Sequence, residues 1–224
     1  MLKTNIHDIH MRKILTMIYQ DKNLQNSLGF KGGTCLYFFH NLDRFSTDLD
    51  FDCIGDSIDV EAMNALFSDY GIQDHYSKFN TWFWLLSYEK VNAKIKIEIS
   101  KRDYPDTYEI VDFLGTPIRI MTKDCMFAHK LCAITDRKKL QNRDLYDTYF
   151  MLKHFYSINE NILKLRTGKT IKEYFLYLLE FIEQKVDNKH ILAGLGEVLD
   201  DKQKDWAREN LVKKLIITIK IHLA

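Results

Sequence analysis

The apolar positions change period partway along the chain, and that change divides it. Near the start, Met11, Ile14, Leu15 and Ile18 recur at i, i+3, i+4 and i+7, which predicts an amphipathic helix. A second helix is predicted over Thr34 to Asn41. Asp48-Leu49-Asp50-Phe51, continuing as Asp52-Cys53-Ile54, then alternates polar with apolar, as a strand does when Leu49 and Phe51 face a core. Residues 59–70 read as a surface helix with Val60, Met63, Leu66 and Phe67 as its apolar stripe. Thr81 to Ser87 is aromatic and predicts a strand. Lys94 to Ser100 alternates without interruption, a half-buried strand with Lys94, Lys96, Glu98 and Ser100 on one face. Pro105 and Pro117 bracket a section that reads as irregular, followed by a short strand at Ile118-Arg119-Ile120-Met121.

Beyond Met121 the strand signals stop. Thr122 reads as an N-cap and Asp124 as first-turn charge of a helix carrying Met126, Phe127, Lys130 and Ala133. Ile171, Tyr174, Phe175, Leu178 and Ile182 mark a further helix, and Trp206, Leu211, Leu215 and Ile216 another. No proline follows Pro117. The pattern predicts an α+β protein, a mixed-sheet core over residues 1–121 and a helical domain over 122–224. A shift in composition, not a linker, marks the boundary.

Composition narrows the class only a little. With 224 residues, 46% hydrophobic and 28% charged, the chain suits one large globular domain or a core with a helical appendage. A net charge of +1 provides no general basic field. Nucleic-acid contact must therefore rest on local patches such as Lys101-Arg102 or Arg137-Lys138-Lys139. Cys35, Cys53, Cys125 and Cys132 have the spacing of neither a disulfide framework nor a zinc site, which fits a reducing cytosol. Met1-Leu2-Lys3-Thr4-Asn5 begins no apolar run of signal-peptide length. The most apolar tail, Leu215 to Ile219, lies between Lys214 and Lys220 and is too short to span a bilayer. The expectation is a cytoplasmic protein with no membrane partner.

The chemistry is concentrated in two stretches, Lys31-Gly32-Gly33-Thr34-Cys35-Leu36 and Arg44-Phe45-Ser46-Thr47-Asp48-Leu49-Asp50-Phe51. Adjacent glycines let backbone N–H groups approach an anion closely, and the following helix start adds a positive dipole end. Asp48 and Asp50, two apart on a strand, share a face. A phosphate cradle followed by paired carboxylates suits a magnesium-dependent enzyme acting on a nucleoside triphosphate. Asp52 lies on the same face and is a competing candidate.

Together these stretches closely resemble the hallmark of the AbiEii/AbiGii nucleotidyltransferase toxins, Lys-Gly-Gly-Thr-x-Leu and then Arg-Phe-Ser-x-Asp-Leu-Asp-Phe. That family belongs to the DNA polymerase β-like superfamily. The resemblance implies that Asp48 and Asp50 are the metal ligands, in preference to Asp52. It implies that Glu98, on a neighbouring strand, is the third carboxylate, metal-bound and catalytic; the alternative is a cross-strand ion pair with Lys94 or Lys96. Lys130, in His129-Lys130-Leu131-Cys132-Ala133, is similar to the family's Lys-Leu-x-Ala signature and is expected to meet triphosphate or pyrophosphate. Arg143-Asp144-Leu145-Tyr146-Asp147 is similar to a closing Arg-Asp-x-x-Asp. Arg143 and Asp147 would brace Lys130 or touch the nucleotide, or simply pair with each other at i,i+4. Lys31, Gly32, Gly33, Thr34, Arg44 and Ser46 would form the nucleotide-binding surface, with Arg44 either reaching phosphate or holding the loop.

The implied activity is transfer of a nucleoside monophosphate from a nucleoside triphosphate to RNA, with Mg2+ as cofactor and pyrophosphate released. The implied acceptor is the tRNA 3′ end, and the implied restraint is a separate antitoxin in a toxin–antitoxin or phage-defence pair. Two rivals stand beside it: a small-molecule transferase of the antibiotic-modifying kind, and a nucleotide-binding protein that transfers nothing.

Overall fold

The structure is a computed structural model that describes residues 4–88 and 93–224; Met1-Leu2-Lys3, at the start read above for a signal segment, lies outside the described residues. It divides into two compact units, Met1–Met121 and Thr122–Ala224.

In the first unit, helix α1 (Thr4–Gln20) buries His7, Met11, Ile14, Leu15, Ile18 and Tyr19 along one stripe. Strand β1 (Leu28–Lys31) runs into helix α2 (Gly32–Phe39), and β2 (Asp48–Cys53) follows. Helix α3 (Val60–Leu66) is capped by Asp59, whose carboxylate accepts from the Ala62 N–H. Then come β3 (Gly71–Lys78), β4 (Thr81–Ser87), β5 (Lys94–Ser100), β6 (Tyr108–Phe113) and β7 (Thr116–Met121). Among the described residues these strands form one sheet in the order β3-β4-β5-β2-β1-β7-β6. β2–β5 and β1–β7 are parallel and the other pairs antiparallel, so the sheet is mixed.

Two parts of this sheet differ from the reading of the sequence. Gly71–Lys78 was not expected as a strand because its residues are polar and exposed along most of its length. It is an edge strand, defined by pairing with β4 and interrupted by a bulge at Ile72/Asp74. The section between Pro105 and Pro117, expected to be irregular, holds strand β6, which forms a hairpin with β7, the strand expected at Ile118–Met121. Pro117 sits at the exposed start of β7, where a missing N–H is tolerated. The second helix also starts at Gly32, earlier than Thr34.

The Tyr19 hydroxyl ties α1 to the sheet. It lies 2.9 Å from the Leu28 carbonyl and 2.8 Å from that of Arg119, and accepts from the Phe30 N–H at 3.1 Å. That staple fixes β1 against β7 immediately before the glycine pair.

The second unit contains α4 (Lys123–Asp136), α5 (Asn142–Lys153), α6 (Glu160–Thr167), α7 (Ile171–Lys185) and α8 (Asp201–Leu223). Capping boxes, Thr170 with Glu173 and Asp200 with Gln203, start α7 and α8. Asn159 caps α6 and also donates to Asp124 Oδ2 at 3.0 Å, joining the starts of α6 and α4. Helix α8 buries Ala207, Leu211, Leu215 and Ile219, while Trp206 packs its ring on Tyr146 and Tyr149 of α5. All four cysteines are free thiols. Among the described residues no helix is long and apolar enough to cross a membrane.

Candidate active site

In the sheet unit, the candidate residues come together where β1, β2 and β5 run side by side. Lys31 pairs with Asp50, and Asp50 with Glu98, while Asp48 pairs with Lys96. Directly paired residues share a face, so Asp48, Asp50, Lys96 and Glu98 stand together above the sheet. Leu49, Phe51, Ile97 and Ile99 are buried on its other side.

The glycine pair is shaped by what it touches. Gly32 has φ +83, and a Cβ there would overlap the Asp50 carboxylate and lie 2.9 Å from Asp50 Cβ. A Cβ on Gly33 would come within 2.9 Å of both Arg44 Nη2 and Ser46 Oγ. A side chain at either position would push the acid or the loop out of place. The Thr34 hydroxyl donates to the Asp48 carbonyl, joining the first turn of α2 to the start of β2. Gly32, Gly33, Thr34, Arg44, Ser46 and Asp50 therefore form one contiguous cluster at the N-terminus of α2. Arg44 is 2% exposed and donates from Nη1 to the Phe45 carbonyl at 2.8 Å, the loop-holding alternative raised above.

Asp52 is separated from this group by its partners. Its carboxylate takes the Lys31 ammonium on one oxygen and the Tyr108 hydroxyl, at 3.0 Å, on the other. It is 3% exposed, whereas Asp48 and Asp50 are only partly covered. Three same-face aspartates thus divide into one enclosed and two accessible.

Lys96 is the group that sequence reasoning undervalued. Its Nζ lies 3.0 Å from Glu98 Oε1. Burial pulls its ammonium down, but the carboxylates of Glu98, Asp48 and Asp50 outweigh that and hold its pKa above the usual lysine value. Among the described residues no three His, Cys, Asp or Glu side chains converge as they stand to hold a metal ion. The donor set nevertheless suits a hard divalent cation: oxygen ligands only, from three acids, already gathered around a positive charge. Asp48, Asp50 and Glu98 are the side chains that could hold magnesium, at the position whose charge Lys96 now balances.

His7, which carried no signal in the sequence, holds the residue before Asp48. Its Nε2 lies 2.9 Å from the Thr47 carbonyl and its Nδ1 2.8 Å from the Tyr88 hydroxyl. The carbonyl can only accept, so Nε2 carries the proton and Nδ1 accepts from tyrosine. Burial lowers the pKa of His7 despite the bond to Thr47 and the charges of Asp48 and Asp8, favouring this neutral form.

In the helical unit, Lys130 of α4 is held by two acids of α5. Its Nζ lies 2.7 Å from Asp147 Oδ2 and 3.6 Å from Asp144 Oδ1. Arg137 Nε lies 2.9 Å from Asp144 Oδ2, a charge contact outside hydrogen-bond geometry. Asp144 and Asp147 are 1% and 0% exposed. Of the alternatives for Asp147, the structure gives the brace on Lys130, and it adds Asp144, one turn away on the same helix face. Arg143 is partly exposed on α5. His129 Nδ1 lies 2.6 Å from Arg166 Nη1, a structural setting.

The chain matches the profile of the nucleotidyl transferase AbiEii toxin family of type IV toxin–antitoxin systems over residues 13–211. It belongs to the AbiEii family. As a member it is a nucleotidyltransferase, and its type IV toxin–antitoxin context implies a nucleotide substrate and an antitoxin partner. Solved structures share the fold. JHP933 from Helicobacter pylori aligns with a TM-score of 0.65 at 22% identity, over 100% of this chain and 93% of that one. Another H. pylori chain, described as a nucleotidyltransferase, aligns with a TM-score of 0.65 at 23% identity, over 100% and 96%. An antigenic nucleotidyltransferase-like protein from Paracoccidioides brasiliensis reaches 0.53 at 12% identity, over 82% and 92%. No curated protein matches the sequence at a significant level. The AbiEii match spans nearly all of both units, including Lys130, Asp144 and Asp147.

Proposed function

We propose that this AbiEii-family chain transfers a nucleoside monophosphate from a nucleoside triphosphate to the 3′ end of RNA, with tRNA as the acceptor and magnesium as the cofactor. The observation that carries the reading is the register of Asp50 with Glu98, together with the close approach of Gly32 to the Asp50 carboxylate. These contacts bring the phosphate cradle and the acids to one place on the sheet. The N–H groups at the start of α2 would receive the triphosphate, since a helix N-terminus favours anions. Magnesium held by Asp48, Asp50 and Glu98 would neutralise phosphate charge and favour the ionised form of the attacking hydroxyl. Glu98, at the outer side of the acid pair, orients that hydroxyl and accepts its proton. In the helical unit, Lys130 held by Asp144 and Asp147 is the cation offered for the pyrophosphate charge.

In the cell, the expected setting is the cytoplasm, with an antitoxin that restrains the transferase and phage defence as one outcome. The test is incubation of the protein with total cellular RNA and each labelled nucleoside triphosphate in turn. Label in tRNA-sized RNA from a favoured nucleotide supports the reading. Label confined to small molecules replaces it with the antibiotic-modifying kind of transfer, and binding without label leaves a nucleotide-binding protein.

A further inference from the structure

Paired residues draw a line across the open face of the sheet: Lys31, Asp50, Glu98, Phe83 and Tyr76. The next line runs Asp52, Ser100, Thr81 and Lys78. Gly32 lies against Asp50 at one end, so the phosphate cradle is on the β1 side of the acids. Two aromatic rings stand on the other side. Phe83 and Tyr76 are stacked with centroids 4.6 Å apart and planes within 13°. The ammonium of Lys78 lies 5.2 Å from the centre of the tyrosine ring. With strands spaced about 4.8 Å apart, Tyr76 is roughly 10 Å from Glu98. An acceptor entering opposite the phosphate cradle would meet these rings.

The turn joining β3 to β4 adds a third ring. Lys78 pairs with Thr81, leaving a two-residue turn of Phe79 and Asn80. Phe79 has φ 50 at the first turn position, where glycine is favoured, and is 98% exposed. A large aromatic side chain in left-handed backbone and open water serves neither the turn nor the core. Nor is the tip loose: the Lys101 N–H donates to the Asn80 carbonyl at 2.8 Å. On the opposite face of the hairpin, the Lys101 ammonium donates to Ser77 Oγ at 2.6 Å and lies 4.1 Å from the Trp82 ring, holding the tip from behind. On the acid face the hairpin therefore presents the stacked Tyr76 and Phe83 rings with the Lys78 ammonium beside them, and its tip adds Phe79. A contiguous apolar patch would suit a protein partner; stacked rings beside a cation suit unpaired bases and their phosphates.

We infer that the β3–β4 hairpin binds the acceptor, a single-stranded RNA 3′ end whose unpaired bases stack on Tyr76 and Phe79 while Lys78 meets its phosphates. The inference rests on the transferase reading above and adds the surface on which that acceptor is held.

The experiment uses the full chain and a short single-stranded RNA carrying 2-aminopurine in its last positions, without nucleoside triphosphate. Stacking should quench the probe. Tyr76→Ala should weaken affinity about tenfold, the scale of one lost stacking contact, and Tyr76→Phe should restore it. Phe79→Gly should raise the melting temperature by relieving the turn and still weaken RNA binding, a split that a purely structural role would not produce. Lys78→Ala should flatten the dependence of log affinity on log salt by about 0.7. Parent-like affinity and quenching in both Tyr76→Ala and Phe79→Gly, or no RNA binding by the parent, overturns the inference. The labelled-transfer assay separates the two claims. RNA labelled at parent rates by both ring variants sinks the hairpin and keeps the transferase; Tyr76-dependent RNA binding with no RNA labelled keeps the hairpin and sinks the transferase.

Discussion

Asp50 and Asp147 are both aspartates set by regular structure beside a lysine, and their settings are opposite. On the sheet, Asp48 and Asp50 are partly covered and Glu98 is more than a third exposed at its side chain, all three around Lys96. In the helical unit, Asp144 and Asp147 are sealed against Lys130 and Arg137. An acid that water reaches can exchange its partner for a ligand at little cost. A buried acid cannot, because removing one member of a buried pair leaves the other charge desolvated. The first cluster is therefore built to bind and the second to hold a side chain in place.

The largest expected effect tests the first half of that contrast. The Asp48→Asn, Asp50→Asn double variant should lose transfer by at least about 10³-fold, the scale of several kcal/mol of charge stabilisation. It should also lose magnesium-dependent triphosphate binding by calorimetry, while its melting temperature stays close to the parent's. A variant that unfolds instead would show the sheet acids to be structural.

Asp147→Ala tests the second half. It should destabilise the fold by about 3 kcal/mol in denaturant titration, because Asp147 is fully buried and Lys130 would lose its closest partner. Losses of the same size from Asp147→Ala and from the sheet double variant would erase the distinction between the clusters.

The smallest effect sharpens it. Lys96→Met removes a positive charge from among three acids, so magnesium should bind more tightly, by about tenfold. A lysine–carboxylate contact at 4 Å is worth roughly 4 kcal/mol at an effective dielectric of 20, and partial exposure screens most of that. Calorimetric titration with magnesium alone reads the change directly. Unchanged affinity would mean that Lys96 and the cation do not compete for one place.

Much of the fold was legible because period carries it. Strict alternation over Lys94–Ser100 and over Asp48–Phe51 predicts strands and the face on which each acid stands, and the helical stripes after Met121 are equally plain. The β3 strand was not legible, since an exposed edge has no buried side to impose a pattern. Strand β6 was hidden between two prolines that read as breaks, although the exposed start of β7, ahead of its pairing with β1, accommodates Pro117. In the site, the glycine pair and the two aspartates stood out by spacing, while Lys96, His7 and Asp144 did not. Their importance comes from register between strands and from contacts between helices, which a local pattern does not contain.

By itself, then, the sequence determined the division into a mixed-sheet core and a helical part, the common face of Asp48, Asp50 and Asp52, and the family to which the chain belongs. Tertiary structure decided which of those three aspartates is withdrawn, through Lys31 from β1 and Tyr108 from β6. It also decided that Glu98 stands beside Asp50 and that Lys130 is braced by two buried acids. The reason is physical: periodicity follows from backbone geometry within one element, whereas the charge state and accessibility of a carboxylate depend on what distant segments bring within a few ångströms of it.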